Sequence, residues 1–139
     1  MNKLITFCIL LLVFGSASAQ KNETVKKPDI YFSEPLFDFG NIESNKPVQH
    51  DFVFFNSGTA PLLLKEVKAA CGCTVPTWPR QPIKPGENAK ISVTFDPKDD
   101  AGKVFNKSIK VTTNIKEDDH DKVVVINIKG KVNAAPATK

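Results

Sequence analysis

The sequence is poor in the residues that metal centres and nucleic-acid surfaces require. Its 139 residues include three cysteines, two histidines, one methionine and one tryptophan. A closed zinc site takes four nitrogen, sulfur or oxygen ligands, so few combinations are available here. Arg80 is the single arginine, and the formal net charge of +4 comes from lysines interspersed with acidic residues. No basic stripe is present, so we expect no nucleic-acid partner.

Catalytic motifs are also missing. The sequence has no glycine-rich phosphate loop, no Ser/His/Asp grouping and no pair of carboxylates at a catalytic spacing. Four carboxylates do concentrate in residues 117–121, but this run lacks the glycine of a calcium loop and is flanked by Lys116 and Lys122. We therefore interpret it as a solvated hairpin tip, and we expect no enzyme and no cofactor.

Only one long apolar run is present, at residues 4–14, and it is short for a membrane span. Lys3 precedes it, and the small residues Ala17-Ser18-Ala19 follow it. This order is typical of a secretory signal peptide, which we predict at residues 1–19, with Cys8 inside it. We expect export to the periplasm or the extracellular space, with no transmembrane segment in the mature chain.

The rest of the chain has the size of one domain. Residues 20–28 are polar and rich in lysine, and we predict a disordered lead-in there. Residues 133–139 have the same character and are predicted to be a flexible tail. The domain is expected between them, at residues 29–132.

Strand signals recur along this domain, and no helical period appears. The clearest is residues 89–95, where Ile91, Val93 and Phe95 alternate with polar residues. Turn signals such as Asn56-Ser57-Gly58 separate the segments. We predict about seven strands and a charged hairpin loop at residues 114–122. The pattern favours an all-β, immunoglobulin-like antiparallel β-sandwich.

Cys71 and Cys73 are the chemically most informative pair, since Cys8 leaves with the signal peptide. Residues two apart on a strand point to the same face. Three interpretations stay open: a structural disulfide, a thiol–disulfide exchange site, and a soft-metal site for Cu(I) or Zn(II). A disulfide requires a bent backbone, because Cα atoms two apart in an extended strand lie near the limit of roughly 6.8 Å. Gly72 permits that bend.

Two further residues are weighed as candidates. Trp78 follows the cysteine pair and either caps the sandwich or contacts a partner, since tryptophan is favoured at binding hot spots. His50 alternates with Phe52 along a predicted strand, so we expect it to be a partly buried histidine and no metal ligand.

A series of short motifs resembles a known family. In order, they include Phe37-Asp38-Phe39-Gly40-Asn41-Ile42, Phe55-Asn56-Ser57-Gly58, Cys71-Gly72-Cys73-Thr74 and Val93-Thr94-Phe95-Asp96-Pro97. Together they resemble the uncharacterised bacterial exported domain family numbered fifteen-seventy-three, over residues 30–132. The resemblance implies an immunoglobulin-like domain similar to ASH and major-sperm-protein-like sandwiches, located in the cell envelope and without an established activity. Related domains mostly bind proteins.

From these observations we expect an exported, non-catalytic module that binds an unknown protein partner in the cell envelope. The alternative is a Cu(I)-binding or thiol–disulfide protein that acts through Cys71 and Cys73. No signal in the sequence predicts an oligomeric state.

Overall fold

The computed structural model describes residues 25–134. The predicted signal peptide, the first part of the predicted lead-in and the last five residues lie outside these. Among the described residues, no helix has the length and apolarity to cross a membrane. The eight strands are β1 (Tyr31–Phe32), β2 (Leu36–Ile42), β3 (Val48–Phe55), β4 (Leu64–Ala69), β5 (Thr74–Thr77), β6 (Asn88–Phe95), β7 (Val104–Glu117) and β8 (His120–Val132).

The strands form two four-stranded sheets. Sheet 1 has the order β1-β3-β6-β5, and sheet 2 has the order β2-β8-β7-β4. The predicted all-β, immunoglobulin-like sandwich is confirmed. The predicted count of about seven strands is one too low, because β5 was not recognised. It is four residues long and contains Pro76, which weakens a strand signal.

One strand pair departs from the predicted antiparallel arrangement. β2 runs parallel to β8, with Leu36 opposite Asn127 and Asp38 opposite Lys129. These two strands are far apart in sequence, and no hairpin between them forces opposite directions. The pairing is irregular between Asp38 and Asn41, where Gly40 adopts a positive φ of 66°.

The hairpin predicted at residues 114–122 is present, but its loop is shorter than predicted. β7 and β8 continue through this segment, and the turn consists only of Asp118 and Asp119, whose φ angles are 47° and 66°. Aspartate is one of the few residues that tolerate this left-handed region. Ion pairs brace the strand ends beside the turn, namely Lys116–Asp121 at 2.7 Å and Lys122–Glu117 at 3.1 Å.

The core lies between the two sheets. Ile91, Val93 and Phe95 point inward as their alternation predicts, and each is fully buried. Burying a large apolar side chain contributes about 1.5–3 kcal/mol before the entropy cost. The largest fully buried side chains are Phe52, Phe54, Phe95, Leu62, Leu64, Ile91, Ile109, Ile126, Ile128, Val93, Val111 and Val132.

The Asn56-Ser57-Gly58 turn holds the N-terminal segment. The Lys27 carbonyl accepts hydrogen bonds from the amides of Thr59, at 2.7 Å, and Ala60, at 3.2 Å. A Cβ atom at Gly58 would lie 2.3 Å from the amide nitrogen of Asp29, so only glycine fits this contact. Lys27, for which we predicted disorder, is therefore hydrogen-bonded to the domain.

Candidate functional site

The cysteine pair lies where the chain crosses between the sheets. Residues 70–73 join β4, at the edge of sheet 2, to β5, at the edge of sheet 1. Cys71 and Cys73 form a disulfide with an S–S distance of 2.03 Å, and their Cα atoms are 5.4 Å apart. That separation is shorter than an extended strand gives, so the backbone bends at Gly72, which is exposed.

Hydrogen bonds fix this cysteine turn to sheet 1. The amide of Asp96 donates to the Cys73 carbonyl at 2.9 Å, and the amide of Thr74 donates to the Cys71 carbonyl at 3.3 Å. The buried Thr74 hydroxyl lies 3.6 Å from the Cys71 sulfur and 3.9 Å from the Cys73 sulfur. Both cysteines are half-buried, and the turn closes one end of β5.

The metal interpretation of this pair requires its reduction. Cu(I) and Zn(II) bind thiolates, and a disulfide offers none. Within residues 25–134, no three histidine, cysteine, aspartate or glutamate side chains cluster as a metal site would need. Reduced Cys71 and Cys73 would therefore supply two ligands from this domain.

Trp78 lies away from the cysteine turn. It follows the far end of β5, roughly 13 Å from Thr74 at about 3.3 Å per residue. The indole is half-buried against the core, and the Arg80 guanidinium stacks 3.7 Å from its ring centroid. Among the described residues no acceptor bonds its buried Nε1. This arrangement suits a cap on the sandwich, with Arg80 covering the outer side of the ring.

His50 lies where its alternation places it, half-buried on β3. Its ring stacks on Phe37, with centroids 3.6 Å apart, and meets Phe52 edge-on at 4.7 Å. Burial lowers the pKa of His50 below 6.5, while the nearby carboxylates of Glu34 and Asp51 partly oppose this shift. The residue therefore belongs to an aromatic cluster between the sheets, and it is not part of the cysteine turn.

The open edge of β4 is a feature that no local sequence pattern indicates. Among the described residues, β4 pairs with β7 alone, and the amide of Ala70, just beyond β4, donates to the Ser108 carbonyl at 3.0 Å. Backbone directions alternate along a strand, so the N–H and C=O groups of Val67 and Ala69 face away from β7. The one ladder that β4 forms within residues 25–134 is on its β7 side, and outside the ladders no backbone hydrogen bond in this range involves these groups.

The other three sheet edges are less open. On β5 the corresponding positions are Thr74, whose amide already bonds to Cys71, and Pro76, which has no N–H. β1 has two residues. β2 is interrupted by its bulge, where the Asp38 carboxylate accepts the Gly40 amide at 2.8 Å. Bulges and prolines are the usual ways of protecting an edge strand, and β4 has neither proline nor a bulge after Glu66.

Two lysines mark the exposed face beside this edge. Lys68 on β4 lies directly opposite Lys110 on β7, and both are exposed. Among the described residues, neither has a carboxylate within 4.0 Å. Eight other lysines do have one, namely Lys65, Lys90, Lys98, Lys103, Lys107, Lys116, Lys122 and Lys129. The residues around the pair line a groove of about 280 Å³ that also includes Ala69, Ala70 and Ser108.

A family model described as "Protein of unknown function (DUF1573)" matches residues 30–132. The chain belongs to this family. A search of curated proteins finds no significant match.

Solved structures with the same fold as this DUF1573 domain come from several sources. A protein of unknown function from Porphyromonas gingivalis W83 has a TM-score of 0.64 at 19% identity, with 76% of this chain and 47% of that chain covered. The domain thus spans about half of that protein. The ASH/PapD-like domain 7 of human CEP192 has a TM-score of 0.63 at 11% identity, covering 78% of this chain and 88% of that one.

Two further structural matches have names that state a function, one a chaperone–subunit complex and the other a protease. The CsuC–CsuE chaperone–tip adhesion subunit complex of Acinetobacter baumannii gives a TM-score of 0.51 at 16% identity, with 76% of this chain and 56% of that chain covered. The Vibrio cholerae VesB protease also matches, but over only 32% of its chain. At these identities the likeness establishes the ASH/PapD-like fold of this DUF1573 domain, and its function must be argued from its own residues.

Proposed function

We propose that this domain is an exported, non-catalytic module that binds a protein partner in the bacterial cell envelope. The partner would add an extended segment along the open edge of β4. The observation that carries this proposal is the unbonded backbone of Val67 and Ala69. An added strand satisfies such groups with main-chain hydrogen bonds, which is a recurrent mode of peptide recognition.

The surroundings of β4 support this use of the edge. The disulfide turn ties the end of β4 to sheet 1 through Cys73 and Asp96, so the edge is presented by a braced backbone. A rigid edge loses little conformational entropy on binding, which favours affinity. The chaperone–subunit complex among the structural matches is a protein–protein assembly built with the same fold. The envelope location rests on the predicted signal peptide at residues 1–19.

Capture from an envelope extract tests the proposal. Ala69→Pro removes one outward N–H from β4 without removing a bond to β7, and strand edges accept proline. Leu36→Pro, at the first residue of β2, is the matched control on the opposite edge of the same sheet. We expect Ala69→Pro to reduce partner capture by about tenfold or more, since a lost main-chain bond leaves its acceptor unpaired.

Thermal unfolding of both variants shows whether each remains folded. Full capture by a folded Ala69→Pro protein would exclude the β4 edge as the binding surface. If wild type, Ala69→Pro and Leu36→Pro all fail to retain any protein, the role as a partner-binding module is itself wrong.

The second candidate function is thiol chemistry or Cu(I) binding by Cys71 and Cys73. It is favoured by the accessibility of the turn, since Gly72 is exposed and a Cβ atom there would meet nothing within 4 Å. Intact mass with and without reductant, followed by a Cu(I) titration of the reduced protein, tests it. This candidate predicts a stoichiometric Cu(I) complex or rapid exchange with glutathione, and Cys71→Ser/Cys73→Ser is the control.

A further inference from the structure

We infer that the β4 edge selects an acidic segment of its partner, whose carboxylates bind between Lys68 and Lys110. This inference rests on the proposed use of β4 and adds the chemistry of the bound segment. The basis is the positive charge of one small region of sheet 2. The two lysines there form no ion pair with any of the described residues.

The opposed lysines are unfavourable in the free domain. Like charges directly opposite each other on neighbouring strands repel. Eight lysines within residues 25–134 stand next to carboxylates, as Lys90 does with Asp51 at 2.6 Å and Lys107 with Asp100 at 2.9 Å. Lys68 and Lys110 have no such partner among the described residues, and they face each other at the edge that also has unbonded backbone groups. A bound carboxylate would turn this repulsion into attraction.

The surface around the pair leaves room for such a ligand. The small residues Ala70 and Ser108 line the groove beside the two lysines. The Ser108 hydroxyl donates to the Asn127 side-chain oxygen at 2.8 Å, so it is already engaged. Neither lysine ammonium group donates a hydrogen bond within residues 25–134, so both can bind a ligand on this face.

The position of β4 also defines the pattern of the partner. A strand added beside β4 places one side chain directly opposite Lys68, with Cβ atoms about 4.5–5.5 Å apart. Lys110 lies on β7, one strand further from the added segment, and neighbouring strands are about 4.8 Å apart. The long side chain of Lys110 can therefore reach the same carboxylate. Glu66 lies two residues before Lys68 on the same face, so it disfavours a second carboxylate opposite itself. We therefore expect an acidic residue opposite Lys68 and a neutral or basic residue opposite Glu66.

A peptide titration tests this selection on the isotope-labelled mature protein. The probes are three nine-residue threonine peptides that carry glutamate, glutamine or lysine at the central position, so that the acidic residue can lie opposite Lys68 with a threonine opposite Glu66. We expect the glutamate peptide to shift the amide signals of Val67 and Ala69. We expect Lys68→Gln/Lys110→Gln to weaken its binding by about tenfold, and the affinity to fall with added salt. The matched control, Lys46→Gln/Lys131→Gln, makes the same charge change at two other exposed lysines and should bind as wild type does.

Each other outcome has a defined meaning. Equal binding of the glutamate and glutamine peptides at β4 would refute the acidic selection and leave the edge proposal standing. Equal loss in the two double variants would assign the effect to net charge and refute the lysine pair. Absence of binding by the glutamate peptide would refute it as well. If sedimentation shows self-association that Lys68→Gln/Lys110→Gln abolishes, the ligand is a second copy of this chain, and the inference is wrong.

Discussion

Lys68 and Lys110 lie directly opposite each other across β4 and β7, and no carboxylate among the described residues comes within 4.0 Å of either. Neighbouring β strands usually avoid such a like-charge pair. The lysine pair lies beside the open edge of β4, so positive charge and unbonded backbone groups occur together on one surface.

Replacing one lysine of the pair should stabilise the domain. Lys110→Glu converts a repulsive cross-strand contact into an attractive one, and we expect the free energy of unfolding to rise by about 0.2–1 kcal/mol. Lys68→Glu/Lys110→Glu restores like charges and should lose that gain. Urea denaturation at low salt measures the effect, with Lys131→Glu as the charge-matched control. Equal changes in the free energy of unfolding for Lys110→Glu and Lys131→Glu would mean that repulsion between Lys68 and Lys110 does not destabilise the domain.

His50 should make the domain less stable in mild acid. Burial lowers the pKa of His50 below 6.5, so protonation favours the unfolded chain. Stability is then complete above about pH 6.5 and falls as the pH drops below it, at most by about 1.4 kcal/mol per unit of pKa lowering. His50→Phe should remove this dependence, because phenylalanine keeps an aromatic ring beside Phe37 and Phe52 but has no group that titrates. Unfolding at about pH 7.5 and 5.5 measures it. His120→Gln is the control, and the same pH dependence in His50→Phe as in wild type would contradict this.

Asp51 should stabilise the domain down to strong acid. Hydrogen bonds from Lys90 and Ser92 lower the pKa of Asp51 to about 2. A lowered carboxyl pKa gives stability that is present above the ordinary value of 3.8 and is lost as the pH falls through about 2. Asp51→Asn should therefore be less stable than wild type at about pH 5 and equal to it near pH 2. A difference that is constant with pH would show that the carboxylate charge is not responsible, and Asp99→Asn serves as the control.

The hairpin tip should accept a stabilising substitution. Asp118 and Asp119 both adopt positive φ angles, a two-residue turn geometry in which Asn-Gly is favoured. Replacing them with Asn and Gly should raise the free energy of unfolding by about 1 kcal/mol, since a non-glycine residue in this region costs of that order. Differential scanning calorimetry measures it. The same substitutions at residues 99 and 100, outside such a turn, should not stabilise, and a loss of stability at 118–119 would contradict the turn assignment.

The predictable part of this fold is the part that burial controls. The alternation of Ile91, Val93 and Phe95 indicates both a strand and its inward face, because one side of each strand must leave water. The series of strands then implies two packed sheets. The hairpin is predictable, but its loop is predicted too long because aspartates more often signal a loop than a tight turn. The parallel contact of β2 with β8 depends on chain crossing, which no local pattern encodes.

The candidate site was only partly predictable for a related reason. Cys71 and Cys73 stand out in the sequence because they are two residues apart, and their disulfide needs only a local bend. Lys68 and Lys110 become neighbours through the pairing of β4 with β7, which depends on the register of distant strands. The open backbone of β4 depends equally on what lies beside it, so neither could be seen without the fold.

Site-specific photo-crosslinking in the producing cells tests the central claim, partner binding at the β4 edge, most directly. A benzophenone amino acid at position 66 lies on the exposed face of β4, and one at position 131 lies on β8, exposed and away from that edge. We predict an ultraviolet-dependent protein adduct from position 66 and none from position 131. Adducts of equal yield at both positions, or an adduct at 131 alone, would contradict the account.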